Sequence, residues 1–207
     1  TGTSGEIVVR PLRPGIMFMG YWRRPEDTLK IMRNLWLHTG DIVEIDAPTG
    51  EVKILDRKKA ILITSGGKNI TPSLIEDALK ESHNINEAVL LGDGRNFIAA
   101  LIQIDLDTVG KWAQERGLAY TTYESLASLG PVRELIDADV KRVNERFSRV
   151  ENIRKFVILR KQLDHDDGEL TATMKVRRKT IYEKFAPLIA ELYAQRPARG
   201  QGEEQAS

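Results

Sequence analysis

Two charged residues in the first third of the chain have the chemistry needed to hold a nucleotide. Asp41 directly follows Thr39 and Gly40, and Arg57 begins a run of three cations. A carboxylate can accept hydrogen bonds from both hydroxyls of a ribose, and an arginine can donate to a phosphate through a planar fork. Taken alone, Thr-Gly-Asp is more typical of an ordinary turn, and successive cations are more typical of a solvated surface.

A pair of glycines and one lysine are the other candidates. Gly66 and Gly67 follow an apolar, β-branched run at residues 61–64. Adjacent glycines let a backbone approach a ligand closely and adopt a positive φ, although a plain strand-to-helix loop is the simpler interpretation. Lys175 lies in the sequence ELTATMKVRR, at the predicted start of the last helix. Most lysines in such a position are solvated surface residues.

The segment before residue 57 is predicted to be mostly β structure. Apolar residues alternate on either side of Ala-Pro-Thr-Gly, whose turn chemistry predicts a hairpin. A stretch that begins near Pro25 has apolar residues at helical spacing. The predicted elements are strands at residues 6–10, 42–45 and 52–55 and one helix at residues 24–35.

The following segment is predicted to be an α/β (α+β) domain, in which a roughly three-stranded sheet is flanked by helices. Two β-rich runs are joined by the turn sequence GDGRN, and the longest amphipathic segment has apolar residues three and four apart, as a helix packed on a core requires. The predicted strands are 61–64, 87–91, 97–105 and 156–159, and the predicted helices begin at Pro72, span 106–116 and 131–150, and begin again at Lys175. The polar residues 195–207 are predicted to form a disordered tail.

The composition excludes several classes of protein and site. The 207 residues carry a net charge of +1, which does not favour binding to nucleic acid through bulk charge. The absence of cysteine excludes disulfides and thiolate metal sites and fits a reducing cytoplasm, where we expect the protein. The three histidines are scattered without metal-ligand spacing, so we assign no metal-binding residue. No apolar run approaches the ~18 residues of a membrane span, and membrane association is not indicated.

The candidate residues of the first half occur within one continuous sequence. Residues 36–76 are WLHTGDIVEIDAPTGEVKILDRKKAILITSGGKNITPSLIE. In this order and spacing they resemble the C-terminal signature of the AMP-forming acyl-CoA synthetases, a family of the adenylate-forming superfamily. The TSGGKNI sequence is most similar to the long-chain fatty acid branch. The resemblance extends to GYWRRPEDT and to residues 169–178, and it is weaker between residues 105 and 150.

The resemblance implies a domain organisation and places the chain within a longer enzyme. Residues 1–56 would be the end of a large N-terminal domain, residues 57–60 a hinge, and residues 61–194 a C-terminal lid domain that rotates between two reaction steps. We expect this chain alone to be inactive, because nothing in it resembles the phosphate-binding loop, the adenine site or the acyl tunnel that such enzymes need.

The resemblance also implies roles for the residues before the second domain. Asp41 would bind the ribose of ATP, with Thr39 supporting the nucleotide site. Arg57 would reach the nucleotide near its ribose and phosphate. Lys59 occupies the hinge position of the family, where a residue must tolerate a change in backbone conformation while its side chain changes partners.

Two further roles follow from the resemblance. Gly66 and Gly67 would let the thiol of CoA approach, and Lys175 would be catalytic, bridging the substrate carboxylate and the α-phosphate during adenylation. A cation there offsets the repulsion between a carboxylate and a polyanion. Met174 stands where many members have glycine, a change that long-chain relatives commonly tolerate.

The implied activity is a two-step ligation that uses ATP, CoA and Mg²⁺. A fatty acid would form an acyl-adenylate with release of pyrophosphate, and CoA would then displace AMP as a thioester forms. Mg²⁺ would be bound mainly by the N-terminal domain and would shield the phosphates. Two alternatives remain open from the sequence: a fatty acyl-AMP ligase that passes its product to a carrier protein, and a non-catalytic docking or binding module.

Overall fold

The chain divides into two compact units. The computed structural model describes residues 3–13 and 15–194. One unit consists of Thr1–Ile61 with Thr71–Ser73, and the other consists of Leu62–Ile70 with Leu74–Ser207. The division therefore falls one residue after Ala60, the last residue of the predicted hinge. The predicted disordered tail at 195–207 lies outside the described residues.

The first unit is an antiparallel sheet built around one long strand. The central strand pairs with every other strand of this sheet, and one helix precedes a short two-residue strand. The mostly β character predicted for this segment is confirmed. Its elements are β1 (Thr3–Val9), α1 (Pro25–Ile31), β2 (Met32–Arg33), β3 (Trp36–Ile45) and β4 (Val52–Arg57).

The helix predicted at residues 24–35 ends earlier than its apolar spacing indicated. Met32 is already extended, and Asn34 and Leu35 have φ values of 51° and 67°. Arg33 pairs with Trp36 across these two residues. Two central residues with positive φ match the right-handed twist of a tight hairpin. The segment after Ile31 is therefore a β-hairpin, and the helical prediction was wrong for it.

The second unit contains a three-stranded sheet and a separate two-residue hairpin. The strands of the larger sheet are antiparallel between the first two and parallel between the last two. Pro72 begins a helix, as predicted, and Gly117, with φ at 67°, follows the end of another. The elements are β5 (Leu62–Ile63), β6 (Asn69–Ile70), α2 (Pro72–Lys80), β7 (Ile85–Leu91), β8 (Ile98–Ile104), α3 (Leu106–Glu115), α4 (Tyr123–Ala127), α5 (Gly130–Asn144), β9 (Ile153–Ile158), α6 (Arg178–Lys184) and α7 (Ala186–Ala194).

Helices cover both faces of the larger sheet. Ala100 and Ile102 pack with helices α2 to α5 on one face, whereas Ala99 and Leu101 pack with α6 and α7 on the other. Successive side chains of a strand point to opposite faces, so every residue of the central strand β8 is buried. A strand buried on both faces reads as a continuous apolar run. The predicted three-stranded sheet flanked by helices is confirmed.

Two predicted helices have different bounds in the structure. The helix predicted at 131–150 ends at Asn144, whose side chain bonds both the N–H and the carbonyl of Ile153 and so directs the chain into β9. The last helix begins at Arg178 rather than at Lys175, and it is interrupted near Phe185. None of the helices that the structure describes combines the length and apolar character that crossing a membrane requires.

Candidate functional site

Thr39, Gly40 and Asp41 form a bulge in strand β3. The β1 partners step from Glu6, opposite Ile42, to Val8, opposite His38, so the three residues have no regular partners in β1. Gly40 has φ at 76°. Bulges of this kind redirect side chains and are common beside active sites. The turn interpretation and the binding-site interpretation of Thr-Gly-Asp are therefore compatible.

The structure brings the three predicted nucleotide-binding residues together in the first unit. Asp41 is the cross-strand partner of Arg57, and Nε of Arg57 lies 2.8 Å from Oδ1 of Asp41. The hydroxyl of Thr39 donates to the carbonyl of Ile7 and accepts from the backbone N–H of Asp41. The side chain of Arg57 is 70% exposed, so its guanidinium can exchange this partner for a ligand.

A single carboxylate holds the bulge in place. Oε1 of Glu6 accepts from the backbone N–H of Gly40 at 3.1 Å, and Oε2 lies 3.0 Å from Nζ of Lys58 and 3.2 Å from Nδ1 of His38. Hydrogen bonds from Lys58 first, and then from His38, lower the pKa of Glu6 below its usual 4.5. The role of Glu6 was not predicted, because its partners His38 and Gly40 lie more than thirty positions away along the chain.

Lys59, the predicted hinge residue, differs from the two cations before it. Arg57 and Lys58 each contact a carboxylate, whereas the exposed side chain of Lys59 has no hydrogen bond or ion pair within the described part of the chain. The backbone turns here, since the N–H of Ala60 donates to the carbonyl of Arg57. Its role as a hinge remains a prediction.

Gly66 and Gly67 form the turn of the β5–β6 hairpin in the second unit. The N–H of Gly67 donates to the carbonyl of Thr64, and the N–H of Thr64 donates to the carbonyl of Lys68. Gly67 has φ at 73°, so only glycine fits there without strain. A methyl group added at Gly66 would meet only Oγ1 of Thr64, at 4.0 Å. The run predicted as a strand at 61–64 thus yields only a two-residue strand.

A positively charged groove adjoins this glycine turn. Its volume is about 440 Å³, and its lining includes Ser65, Gly66, Lys68, Arg149 and Arg154. The three cations are exposed, and none of them pairs with a carboxylate among the residues that the structure describes. No acidic residue lines the groove. Its electrostatics therefore favour an anionic ligand.

Lys175 lies in a tight hairpin that precedes α6. Leu170 and Val176 form an antiparallel bridge, and the N–H of Thr171 donates to the carbonyl of Lys175 at 2.8 Å. The N–H of Lys175 donates to the hydroxyl of Thr171. The ammonium group is exposed and has no hydrogen bond or ion pair within residues 3–13 and 15–194. The hairpin thus presents a free cation on an ordered backbone.

The residues next to this hairpin are tied to the domain by buried carboxylates. Glu169 is 1% exposed and lies 2.9 Å from Nζ of Lys161 and 3.4 Å from Nζ of Lys184. Arg178 contacts Glu76, which is 8% exposed. Neither pair was predicted. Acidic residues are seldom fully buried unless they are paired, but burial of a single acidic residue is not visible in its local sequence.

Two aspartates and a histidine lie close together at the surface of the second unit. The ligand atoms of Asp164, His165 and Asp166 lie within 4.8 Å of one another, and all three residues are exposed. Asp164 already accepts the N–H of Asp166, and His165 lies 2.9 Å from the Asp166 carboxylate. Local turn bonding therefore accounts for this arrangement.

The fold and these loops define the class of protein. The family model described as "AMP-binding enzyme C-terminal domain" matches residues 59–197, and the chain belongs to that family. The predicted membership in the adenylate-forming superfamily is confirmed.

The curated relatives are more specific. The long-chain-fatty-acid–CoA ligase FadD15 of Mycobacterium tuberculosis is 42% identical over 193 residues, which cover 92% of this chain and 31% of the relative. Human ACSBG1, also named a long-chain-fatty-acid–CoA ligase, is 34% identical, with 86% of this chain and 27% of the relative covered. The chain thus spans about a third of these relatives or less, and its resemblance to the long-chain branch is confirmed.

Solved structures of adenylation domains share the fold. The adenylation domain of a carboxylate reductase from Mycobacterium chelonae matches 94% of this chain with a TM-score of 0.76 at 22% identity, and 28% of that domain is covered. The corresponding domain from Segniliparus rugosus, solved with AMP and a carboxylic acid, gives a TM-score of 0.74 at 21% identity over 94% of this chain and 28% of its own.

Proposed function

We propose that this chain is the C-terminal part of an ATP-dependent, AMP-forming long-chain fatty acid–CoA ligase. In the first step, a carboxylate oxygen attacks the α-phosphorus of ATP, and pyrophosphate leaves as the acyl-adenylate forms. In the second step, the thiol of CoA loses its proton and its sulfur attacks the acyl carbon, releasing AMP. The names of the relatives support this activity over transfer to a carrier protein and over a purely docking module.

One observation carries the proposal. The second unit has two separately ordered loops of different chemistry, a free cation at Lys175 and a glycine turn at Gly66 and Gly67. Each loop fits one half-reaction: a cation offsets the charge that develops when a carboxylate meets a polyphosphate, and a turn without side chains lets a thiol approach. The predicted rotation of the lid domain would present them in sequence.

The nucleotide site of the proposal lies in the first unit. Asp41, supported by Thr39, would accept the ribose hydroxyls, and Arg57 would exchange its contact with Asp41 for the nucleotide. Lys59 would absorb the backbone change when the lid rotates. Mg²⁺ would be bound mainly by the large N-terminal domain, as the resemblance implies, and would shield the phosphates.

The groove beside the glycine turn supports CoA as the thiol. CoA carries phosphate groups, and Lys68, Arg149 and Arg154 provide unpaired positive charge next to Gly66. An anion held there would bring a tethered thiol to the turn.

The test separates the two half-reactions in the full-length ligase. Lys175→Ala should lower palmitate-dependent ATP–pyrophosphate exchange by about 100-fold, the usual effect of removing one group that stabilises developing charge. Conversion of synthetic palmitoyl-AMP and CoA to palmitoyl-CoA should remain. Gly66→Ala should show the opposite pattern, because a methyl group at this turn would obstruct the approach of the thiol. The fold should tolerate the change, since the added methyl meets no backbone and φ at this position is not positive.

Lys179→Ala is the matched control. Lys179 is an exposed cation on α6, with only a 3.8 Å contact to Glu183. Both half-reactions should be unchanged in this variant. Two results for the Lys175→Ala variant would contradict the role assigned to Lys175. One is an equal loss of both half-reactions, and the other is normal ATP–pyrophosphate exchange.

A further inference from the structure

Arg178, three residues after Lys175, contacts two other elements of the second unit. Arg178 is the first residue of α6, and its Nη2 lies 2.7 and 2.5 Å from the two carboxylate oxygens of Glu76 on α2. Its Nη1 donates to the carbonyl of Leu90 on β7 at 3.2 Å. Oε1 of Glu76 also accepts the backbone N–H of Leu90 at 2.6 Å. The start of α6 is thus tied to a helix and to the sheet.

The surroundings make these contacts costly to break. Glu76 is 8% exposed, and burial raises its pKa even though Arg178 acts in the opposite direction. Removing one partner of a buried ion pair leaves an uncompensated charge and is strongly destabilising. Both terminal nitrogens of the planar guanidinium are engaged, which fixes its direction as well as its distance. Arg178 therefore has one strongly preferred position.

The opposite strand of the Lys175 hairpin is held independently. The carbonyl of Glu169 accepts the N–H of Arg177, and the carboxylate of Glu169 is fixed by Lys161 and Lys184. Between these anchors the backbone bonds of Thr171 close the turn. The side chain of Lys175 is the part left free.

We propose that Glu76 and Arg178 are positioning residues for adenylation, acting through the hairpin to place the ammonium group of Lys175. This inference rests on the proposed function, since it assumes that Lys175 meets the carboxylate and the phosphate. A displacement of about 1 Å of a reacting or charged group can cost about 100-fold in rate. The contacts of Arg178 prevent such a displacement of the hairpin that carries Lys175 before substrate binds.

The experiment uses the full-length ligase with Arg178→Met and with the double variant Glu76→Gln, Arg178→Met. Four quantities are measured: stability to urea, amide hydrogen exchange across residues 170–177, and the rate of each of the two half-reactions. Arg178→Met should be less stable, exchange faster in the hairpin, and lose about 10-fold to 100-fold in ATP–pyrophosphate exchange. Turnover of palmitoyl-AMP with CoA should fall by less than about 2-fold, within the scatter of neutral substitutions.

The double variant separates positioning from stability. It leaves no unpaired buried charge, and the amide oxygen that Glu76→Gln introduces can still accept the N–H of Leu90, so most of the stability should return. The faster amide hydrogen exchange of the hairpin and the adenylation defect should persist, because the first residue of α6 is then no longer tied to α2 and β7. Arg178→Lys should recover part of the activity, since it restores the charge without the fork.

Arg142→Met is the matched control. Arg142 pairs with a buried carboxylate, Asp139, but it lies on α5, outside the hairpin. It should alter neither the exchange of residues 170–177 nor the ratio of the half-reactions.

The inference is overturned if the double variant regains adenylation together with stability, or if Arg178→Met slows both half-reactions equally. Either result would mean that the ion pair is merely structural. Failure of the proposed function gives a different result: Lys175→Ala would itself leave adenylation intact.

Discussion

At the scale of single residues, Met174 shows what the hairpin of Lys175 requires. Its φ is 59°, a conformation that a side chain disfavours, and its side chain is 65% exposed. The conformation is needed because the N–H of Met174 donates to the carbonyl of Thr171 and closes the turn. The resemblance to the family implies glycine at this position in many members, and the positive φ gives a physical reason for it. Met174 therefore carries local strain beside the proposed catalytic lysine.

Replacing Met174 with glycine should stabilise the protein by about 0.5–1 kcal/mol. The left-handed conformation costs a side chain about 1–2 kcal/mol, and the greater freedom of glycine in the unfolded chain offsets about 0.4–1 kcal/mol of the gain. Urea unfolding measures the difference. Met174→Ala is the control, because alanine has the same backbone penalty and should show no gain. If the Met174→Gly variant were less stable than the wild type, Met174 would not be strained.

At the scale of elements, the proposed nucleotide site depends on an irregularity between three strands. The bulge in β3 leaves Thr39, Gly40 and Asp41 without regular partners in β1, and Asp41 instead faces Arg57 on β4. Glu6 on β1 fills the gap by bonding Gly40 and Lys58. The site is therefore a product of strand pairing, and Glu6 is the side chain that maintains it.

Glu6→Gln should make the stability of the first unit less dependent on acid pH. Lys58 and His38 lower the pKa of Glu6 in the folded state below 4.5. The folded carboxylate thus binds a proton less readily than the unfolded one, so its stabilisation is present above about pH 4.5 and is lost as pH falls through the folded pKa. The variant should be less stable than the wild type at pH 7, and the difference should shrink below about pH 4.

Urea unfolding between about pH 3 and 7, a range that spans this titration, measures the difference. Glu44→Gln is a suitable control, because Glu44 lies on the same sheet and has no ion pair in the described part of the chain. A difference that stays constant with pH would show that Glu6 acts without its charge.

At the scale of the whole molecule, the proposed activity is divided between the two units and further groups. The candidate nucleotide contacts lie in the first unit, whereas Gly66, Gly67 and Lys175 lie in the second. The chain spans 31% of FadD15. The phosphate loop and acyl tunnel that the resemblance implies have no counterpart in this sequence.

The 207-residue chain by itself should therefore show no ATP–pyrophosphate exchange with palmitate. Nothing in it resembles the groups that would hold the β- and γ-phosphates and the acyl chain, so we expect Lys175 to have no bound substrates to bridge. The assay follows labelled pyrophosphate into ATP, with the full-length ligase as positive control. Exchange by the isolated chain above a Lys175→Ala version of it would overturn this expectation.

Much of the fold and the candidate site could be predicted because the signals are local. The strands β7 and β8 follow from two β-rich apolar runs joined by a turn sequence, and the end of α3 follows from Gly117. The order of Thr39, Asp41, Arg57, Gly66 and Lys175 along the chain was sufficient to predict the family. Predictions failed where local signals conflict with pairing, as in the segment after Ile31 and the stretch from Lys175 to Arg178.

The sequence by itself determined the family, the order of most of the elements and which side chains have the required chemistry. Only the tertiary structure decided how those side chains are held. Glu76 and Arg178 are 102 positions apart, and Glu6 and Gly40 are 34 apart. Apolar periodicity depends on near neighbours, but an ion pair forms only after packing has brought distant residues together and removed water from them.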